Sequence, residues 1–420
     1  MIPSAVSPSS PDALIIYPPA IPYGYTLHHR YQRLWEVADY LRRQHPRLGV
    51  VDAGLLNTLQ GDILRQIDAN VRLVIFYVEP QLLATTAALV KRLRLMWPKL
   101  RIALYGPALS TYPDDARALD PDAVGRRGDF EQQLGEIIHW VFNGVEPSAH
   151  ASIRREDGWS VPVGDFKFLP AADWGWPPLN EMPQADIARI YQYKQQPVTM
   201  AVTVARGCPF LCSFCSTPEV EGRSERRRPV KDLVDYIASY PNFTHWQLYA
   251  PTFTLNRRWV LQFCQEILNR DVKITWKCTT RADRVDSELA AAMAAAGCVA
   301  VGLGVETTGQ SRATIRKGES LDALSTGIQE LVRHGIKVKG YVLLGLPGQT
   351  LEEAHETLQY VRSLGAVPRP TLYSPQGDAD ELVRGGLVTP PRTSTEIDRK
   401  SYVPEESEGY GELLKLVYQR

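Results

Sequence analysis

The chain has 420 residues, of which 44% are hydrophobic and 22% are charged, and Lys plus Arg equal Asp plus Glu at 47 each. This composition is typical of a folded protein of two or three domains, and it excludes a fibre, a coiled coil and a largely disordered chain. A formal charge of zero gives no general attraction to nucleic acid or to an anionic membrane. No apolar run approaches the roughly 20 residues that span a bilayer, so we expect neither a nucleic-acid nor a membrane partner.

Residues 1–12 are rich in Pro and Ser and lack the basic-then-apolar order of a secretory signal, so we expect a flexible tail. Six cysteines are too few to form a disulfide scaffold in a chain of this length. Together these features predict a reducing, cytoplasmic location.

Residues 13–144 alternate short apolar runs with helical patterns, and strands are predicted at residues 13–17, 49–51, 71–78 and 101–105. Most of these strands are apolar throughout, which indicates a parallel sheet covered on both faces. We therefore predict an α/β fold that begins with a doubly wound, Rossmann-like parallel-sheet domain. Its ligands are expected beyond the carboxyl ends of the strands.

Residues 145–198 carry many prolines and three tryptophans and are predicted to form an ordered connector. A second alternation follows, with strands predicted at 199–205, 244–249, 272–278, 299–305, 337–344 and 370–374. Helices are predicted at 229–239, 256–269, 286–296, 321–334 and 350–364. Six strands with intervening helices predict a partial (β/α)6 barrel over residues 199–375, with an active site at the C-terminal strand ends. Residues 376–420 are loop-rich with a short final helix, and we expect them to form a lid.

A cysteine motif follows the first strand of this barrel. Cys208, Cys212 and Cys215 have C-x3-C-x2-C spacing, and thiolates suit zinc, copper(I) and iron–sulfur clusters. Structural zinc requires four ligands, but the nearest further cysteine or histidine is His245. Three thiolates with one position free suit a four-iron cluster that binds another group at its fourth iron. A zinc knuckle completed from a distance and three unrelated thiols are the alternatives.

This loop resembles the signature of the radical S-adenosylmethionine (SAM) superfamily, in which an aromatic residue, here Phe214, precedes the third cysteine. The resemblance implies that Cys208, Cys212 and Cys215 hold a 4Fe-4S cluster and that Phe214 lies at the cofactors. It implies that the open iron chelates the amino and carboxyl groups of SAM. One electron then produces a 5′-deoxyadenosyl radical, and an external reductant such as flavodoxin or ferredoxin is the implied partner.

The resemblance also assigns SAM contacts to the ends of the later strands. Thr252 lies where the family contacts the SAM amino group, although Ala250-Pro251 differs from the acidic residues of related enzymes. Arg281 is expected to neutralise the SAM carboxylate, and Glu306 to accept hydrogen bonds from the ribose or the amino group. A structural ion pair is the alternative for either residue. A glycine turn after the fifth strand allows close approach to adenine, and its residues are Gly345, Leu346 and Pro347.

Three further cysteines and a run of arginines lie outside this set. Cys264 and Cys298 belong to apolar patterns and are predicted to lie in the core. Cys278, at a strand end, belongs either to the core or to the site. The arginines at 223 and 226–228 are predicted to be a solvated helix entrance, and contact with SAM or an acidic substrate is the alternative.

Residues 13–144 resemble the cobalamin-binding domains that are fused upstream in one branch of the superfamily. The resemblance rests on residues 104–111 and 128–131 and implies cobalamin contacts from Tyr77, Val78, Glu79, Gly106, Pro107, Ala108, Gly128, Asp129 and Glu131. The D-x-H-x-x-G loop that supplies a lower histidine ligand in other cobalamin proteins is absent. We therefore expect base-off cobalamin, with His28 or His29 as the alternative ligand.

The resemblance covers residues 13–144 and 199–375 and implies a cobalamin-dependent radical SAM methyltransferase. Such an enzyme moves a methyl group from SAM, through methylcobalamin, to an unactivated carbon of a small, natural-product-type substrate. Cyclisation, ring contraction or oxidation with the same cofactors is the alternative, and a non-catalytic cobalamin or iron–sulfur sensor is a remote one. The sequence identifies no catalytic acid or base. Candidate substrate contacts near the end of the barrel are Tyr373, Ser374, Gln376, Asp378 and Asp380.

Overall fold

The computed structural model describes residues 10–18, 31–53, 60–79, 82–106, 109, 118–126, 128–181, 198–215, 217–373, 412 and 415–416. These residues form two compact units that divide between Val198 and Thr199. Among the helices of these segments, none has both the length and the apolar character needed to cross a membrane.

The first unit is built on one sheet. Its strands are β1 (Ala13–Tyr17), β2 (Leu48–Asp52), β3 (Leu73–Tyr77), β4 (Arg101–Tyr105), β5 (Ala123–Gly125), β6 (Ala151–Arg155) and β7 (Gly158–Trp159). Their order in the sheet is β2-β1-β3-β4-β5-β6-β7, with β1 to β5 parallel and the last two strands antiparallel to their neighbours. The order 2-1-3-4-5 is that of a doubly wound sheet whose switch point lies between β1 and β3.

The helices of the first unit that lie within the described residues are α1 (Tyr31–Arg42), α2 (Gln60–Arg65), α3 (Leu83–Met96) and α4 (Phe130–Asn143). Helix α1 packs against α4, and α2 packs against α3. Strands β1, β2 and β3 are buried along their whole length, which is why they read as continuous apolar runs. The predicted α/β class and the Rossmann-like first domain are confirmed.

The segment that follows α4 adds to the first unit. It supplies the β6–β7 pair, and Trp174 within it is fully buried. A Cβ atom at Gly175 would strike the backbone oxygen of Glu36 in α1, so this backbone approaches the helix as only glycine allows. Strands β5, β6 and β7 were not predicted from the sequence.

The second unit is an alternation of strands and helices. Its strands are β8 (Thr199–Thr203), β9 (Ala205–Arg206), β10 (Arg226–Arg227), β11 (His245–Tyr249), β12 (Thr275–Thr280), β13 (Cys298–Glu306), β14 (Lys337–Leu344) and β15 (Val367–Leu372). Its helices are α5 (Thr217–Val220), α6 (Val230–Ala238), α7 (Arg257–Asn269), α8 (Ser287–Ala295), α9 (Leu321–Arg333) and α10 (Leu351–Ser363). Six parallel strands lie in the order β15-β14-β13-β12-β11-β8, beside a separate β9–β10 ribbon. This order confirms the predicted partial (β/α)6 barrel.

The six-stranded sheet has one face packed on helices and an opposite face, which we call the interior face. On the helix side, Trp276 of β12 contacts Phe263 of α7, with ring centroids 5.6 Å apart. A Cβ atom at Gly340 of β14 would lie 2.8 Å from Cγ1 of Val361 in α10. Because side chains alternate along a strand, Lys277 of β12 and Tyr341 of β14 lie on the interior face.

The three remaining cysteines lie together on the helix side. Cys278 is two residues after Trp276, is 2% exposed and neighbours Cys298. Cys264 of α7 lies close enough to Cys298 that their charges interact. The core prediction for Cys264 and Cys298 is confirmed, and Cys278 belongs to the core as well.

Candidate functional site

The cysteine loop begins with a turn that only glycine adopts readily. Gly207 has φ +83°, and a Cβ atom there would clash with the backbone oxygen of Ser224. The Gly207 N–H donates to the buried Glu221 carboxylate at 3.1 Å, and the Cys208 N–H donates to the Gly222 oxygen at 3.0 Å. These contacts fix the backbone from which the first thiol projects.

The three predicted cluster ligands lie near one another. Burial raises the pKa of Cys212 to about 11 and also raises that of Cys215, and the charge of Cys208 acts on both in the same direction. Cys208 Sγ lies 3.8 Å from the hydroxyl of Thr252, another predicted site residue. In the described part of the chain, no three His, Cys, Asp or Glu side chains are placed to hold a single metal ion.

Arg281 connects this loop to the end of β12. Its Nη1 lies 3.8 Å from Cys212 Sγ and donates to the Lys317 oxygen at 3.0 Å. Its Nε and Nη2 each donate to the Asp283 carboxylate at 2.9 Å, in a two-pronged ion pair. The guanidinium carbon also lies 4.0 Å from the centroid of the Phe210 ring, within the cysteine loop. Arg281 therefore has a structural ion pair and a contact with the site at once.

Glu306, at the end of β13, is 7% exposed and has φ +64°, an uncommon conformation for a residue with a side chain. Its Oε1 lies 3.8 Å from Nζ of Lys317, which is 2.9 Å from Oε2 of Glu319. Burial raises the pKa of Glu306, and the charge of Lys317 opposes that rise. Lys317 also donates to the Gly304 oxygen, so it ties the loop back to the strand end.

Lys317 and Glu319 were not predicted as site residues. They follow Arg316 in a short charged stretch, 316–319, between β13 and α9. Charged stretches of this kind are usually solvated, whereas Lys317 and Glu319 are each 6% exposed. The available signal was the Lys–Gly–Glu sequence at residues 317–319, in the segment between β13 and α9.

An apolar cluster joins the cysteine loop to the last two strands. Phe214 packs against Ile315, Leu346 and Tyr373, three residues that are nearly fully buried. The Ser213 N–H donates to the Ile315 oxygen at 3.1 Å, which anchors the loop to the segment after β13. The predicted aromatic residue Phe214 and the predicted adenine contact Leu346 are therefore brought together.

The glycine turn beside this cluster is stabilised by hydrogen bonds to the side chain of Gln349. The Gly345 N–H donates to the side-chain oxygen of Gln349 at 2.7 Å, and the Gln349 amide donates to the Leu343 oxygen at 3.1 Å. Pro347 lies in the same turn, directly before Gly348, which has φ +76°. The N–H of Gly345 is thus already used by the protein, while the side chain of Leu346 lines the cluster.

The prediction for the arginine run is wrong at two positions. Arg228 is 1% exposed, and its Nε donates to the Thr203 oxygen at 2.7 Å. Arg227 lies 4.7 Å from the centroid of the Trp259 ring, in a cation–π contact. Both side chains bury against the barrel because their alkyl stems and planar heads pack on backbone and aromatic rings.

In the first unit, three tyrosines end neighbouring strands. Tyr17, Tyr77 and Tyr105 are the last residues of β1, β3 and β4, and their rings lie 5.5 and 5.1 Å apart in sequence order. Burial raises the pKa of Tyr105 well above its ordinary value, and Tyr77 and Glu131 act in the same direction. The buried Tyr105 hydroxyl has no hydrogen-bond partner within the described residues.

The predicted cobalamin contacts around this edge are close-packed. A Cβ atom at Gly106, where φ is +123°, would lie 2.5 Å from the Val78 oxygen, and one at Gly128 would lie 2.5 Å from Nδ1 of His150. Asp129 Oδ2 accepts the Leu169 N–H at 2.8 Å. Two further carboxylates are fully buried here, those of Glu79 and Glu131. Several predicted residues lie outside the described segments, namely Pro107, Ala108, His28, His29, Ser374, Gln376, Asp378 and Asp380.

Comparisons with known proteins agree with this architecture. Residues 202–361 match the Radical SAM superfamily. The anaerobic magnesium-protoporphyrin IX monomethyl ester cyclase of Rubrivivax gelatinosus is 27% identical over 56% of this chain and 44% of its own length. An uncharacterized methyltransferase of Pyrococcus horikoshii is 27% identical over 44% of this chain and 41% of its own. The chain therefore spans less than half the length of these two curated relatives.

A solved structure is similar over nearly the whole chain. It is the radical S-adenosylmethionine methyltransferase TsrM from Kitasatospora setae, with cobalamin and a 4Fe-4S cluster bound. The TM-score is 0.71 at 17% identity, and the match covers 90% of this chain and 79% of that one. At this identity the likeness establishes a shared fold, which includes both units described above.

Proposed function

The chain carries a radical SAM domain over residues 202–361, and from this premise we propose that it is a cobalamin-dependent radical SAM methyltransferase. It would methylate an unactivated carbon of a small, natural-product-type molecule. The observation that carries the proposal is the grouping of Cys208, Cys212 and Cys215 with Arg281 in the second unit. Cys212 and Arg281 are in contact there, 3.8 Å apart.

The donor set fits a 4Fe-4S cluster held by Cys208, Cys212 and Cys215. Thiolates of such a cluster bind different irons, so they lie together without converging on one point. When bound, the cluster supplies the electron that cleaves SAM, taken from an external reductant such as flavodoxin or ferredoxin. Arg281 and Lys317 offset the negative charge that Cys212 acquires as a thiolate. Thiolate ligands also require a reducing compartment, so a cytoplasmic location is part of the proposal.

The residues around the cysteines suit the parts of SAM. Arg281 offers a cation for the SAM carboxylate, and its two hydrogen bonds to the Asp283 side chain keep the guanidinium fixed. Glu306 offers a buried acceptor for the amino group or the ribose. Phe214 and Leu346 offer an apolar surface for adenine. These groups orient a bound ligand and exclude water from it, which is the protein's share of radical chemistry.

Cobalamin is proposed for the first unit, at the C-terminal edge of its sheet. The unsatisfied Tyr105 hydroxyl and the buried carboxylates of Glu79 and Glu131 give this edge polar groups for a large polar ligand. When bound, cobalamin carries the methyl group. We propose that no histidine ligates its lower face, and the spectrum of bound methylcobalamin tests this, since histidine coordination would contradict it.

The test of the proposed function is anaerobic purification followed by iron, sulfide and cobalamin analysis. We expect about four irons and about one cobalamin per chain, and reductive cleavage of SAM to 5′-deoxyadenosine. Cys212→Ala should lose most of the iron and all cleavage. Cys264→Ala, which removes a buried thiol on the helix side, should keep both. A wild-type protein that binds zinc, or that carries a cluster and never cleaves SAM, would contradict the proposal.

A second function is favoured by one of the comparisons. The relative from Rubrivivax gelatinosus is named a cyclase, so this fold is compatible with radical chemistry that ends without methylation. SAM labelled in its methyl group separates the two functions. Label in the product supports methyl transfer, whereas 5′-deoxyadenosine formed with an unlabelled product supports cyclisation or oxidation.

A further inference from the structure

The interior face of the barrel sheet is basic. Lys277 of β12 lies on this face, and it pairs in register with Gln247 of β11. Lys339 and Tyr341 lie on either side of Gly340 in β14, so both side chains point to the interior face. Tyr341 pairs in register with Arg369 of β15. Since residues in register point to the same side of a sheet, Lys277, Lys339 and Arg369 share the interior face.

None of these three cations has a partner within the described residues. Lys277, Lys339 and Arg369 make no ion pair or hydrogen bond there, and the charges that act on the two lysines are other cations. Buried cations near the cysteine loop are paired instead, for example Arg281 with Asp283 and Lys317 with Glu319. Among the described residues, the interior face therefore carries three positive charges and no counter-charge.

The charges are also partly desolvated. Burial lowers the pKa of Lys277 to about 8, and the charge of Lys339 acts in the same direction. Burial also lowers the pKa of Lys339, with Arg369 and Lys337 contributing. Gathering partly buried like charges is unfavourable in the absence of an anion, because each ammonium loses water and gains no counter-charge.

The middle strand of this face carries small side chains. Closed barrels of this type fill their interior with bulky branched side chains. Strand β13 instead places small residues on this face, Ala300, Gly302 and Gly304, as its register with β12 and β14 shows. The ring of Tyr341 lies over Gly302, since a Cβ atom there would be 2.6 Å from its Cε2. Because Gly302 pairs in register with Lys339, the Tyr341 phenol lies beside that lysine.

From this arrangement we propose that Lys277, Lys339 and Arg369 form a binding site for an anionic group of the substrate, a carboxylate or a phosphate. This inference rests on the proposed function, because the bound anion belongs to a substrate only if the protein is an enzyme. It narrows the proposed substrate class to anionic small molecules. Arg281 directly follows β12 in extended conformation and is four residues from Lys277, or about 13 Å. A molecule of about that length reaches from the cations to the C-terminal edge, where the cysteine loop lies.

Calorimetric titration of the full-length, anaerobically purified protein with pyrophosphate, and separately with citrate, tests the site. We expect saturable binding of at least one anion, weakened about tenfold or more in Lys277→Met and in Lys339→Met. The matched control is Lys273→Met, because Lys273 is an exposed lysine just before β12 that pairs with Asp271. Pyrophosphate binding alone identifies a phosphate site, and citrate binding alone identifies a carboxylate site.

The outcomes separate this inference from the proposed function. A wild-type protein that cleaves SAM but binds neither anion overturns the anion site and leaves the proposed function standing. A protein that binds an anion through Lys277 and Lys339 but never cleaves SAM keeps the site and overturns the function. Equal loss of binding in Lys273→Met also overturns the site, because Lys273 lies outside the proposed group of cations. Iron content and unfolding temperature, measured for every variant, show that each has folded.

Discussion

Arg281 shows at the scale of a single residue how a structural and a functional role coincide. Its guanidinium is held by Asp283, lies on the Phe210 ring and reaches Cys212. Two parallel hydrogen bonds and a stacked ring both need the planar, forked head of arginine. A lysine would keep the charge and lose both constraints.

We therefore expect Arg281→Lys to retain most of its iron and to cleave SAM about tenfold more slowly or worse. The control is Arg284→Lys, since Arg284 lies 5.3 Å from the centroid of the same Phe210 ring and its side chain is 44% exposed. Rates of 5′-deoxyadenosine formation at saturating reductant give the measurement. If Arg281→Lys cleaves SAM at the wild-type rate, a positive charge at this position is sufficient. The two hydrogen bonds from Arg281 to Asp283 would then have no role in positioning SAM.

Lys277 gives a prediction of stability against pH. Its pKa is lowered to about 8 in the folded protein from an ordinary 10.5, so the unfolded chain binds its proton more tightly. The cost of holding the charged amine is therefore fully present below pH 8, and it disappears as pH rises towards 10.5. The charged or titratable groups that interact with this amine are Lys339 and His245.

Lys277→Met should therefore raise the free energy of unfolding by about 1 to 3 kcal/mol near neutral pH, and by less at about pH 10. Denaturant titrations of variant and wild type at the two pH values measure the difference. Lys273→Met should change little at either. An effect of Lys277→Met that is independent of pH, or that destabilises, would show that the buried amine carries no such penalty.

Glu136 shows at the scale of elements how a helix positions a strand. This residue of α4 accepts the backbone N–H groups of Ala149, His150 and Ala151 at 2.9, 2.8 and 2.8 Å. The contacts fix the chain just before β6, at the antiparallel extension of the first sheet. The Ser148 N–H donates to the same carboxylate at 3.4 Å, and a carboxylate that accepts four N–H groups is a stronger anchor than a neutral amide.

Glu136→Gln should accordingly lower the free energy of unfolding of the first unit by about 1 to 3 kcal/mol. Glu146→Gln is the comparison, because Glu146 forms an exposed ion pair with Arg155 and should contribute under about 1 kcal/mol. Hydrogen exchange of the β6 amides, followed together with denaturant unfolding, locates the effect. Equal losses in the two variants would contradict the anchoring role.

Strands β1 to β3 are buried on both faces, and their apolar pattern predicts them to within two residues of their observed bounds. Strands β4 and β14 were predicted at their observed bounds, although exposed and buried positions alternate along β14. Strand β12 begins three residues later and ends two residues later than predicted. Its interior positions Lys277 and Thr279 are polar, which hides its continuation to Thr280. The short strands β5, β6 and β7 have no long apolar run and depend on contacts remote in sequence.

At the scale of the whole molecule, the order of the helices and strands could be predicted from the sequence, whereas the conformations of the loops between them could not. The cysteine spacing marks the start of the barrel, and the family resemblance assigned Thr252, Arg281 and Glu306 to the ends of later strands. Lys317 and Glu319 were not predicted as site residues, because their burial depends on how the loop after β13 folds back. The basic interior face was not predicted either, since single cations on separate strands can be recognised as a group only when the strand register is known.

The two prolines of β15 have a consequence for the open side of the barrel. In the described part of the chain β15 borders the sheet, and the Tyr373 N–H that follows it points to Leu344 of β14. By alternation, Pro368 and Pro370 occupy the positions whose N–H would point outward, and proline has none. A strand from another chain that approached this border would lack two donors, which guards concentrated protein against growing by strand addition into aggregates.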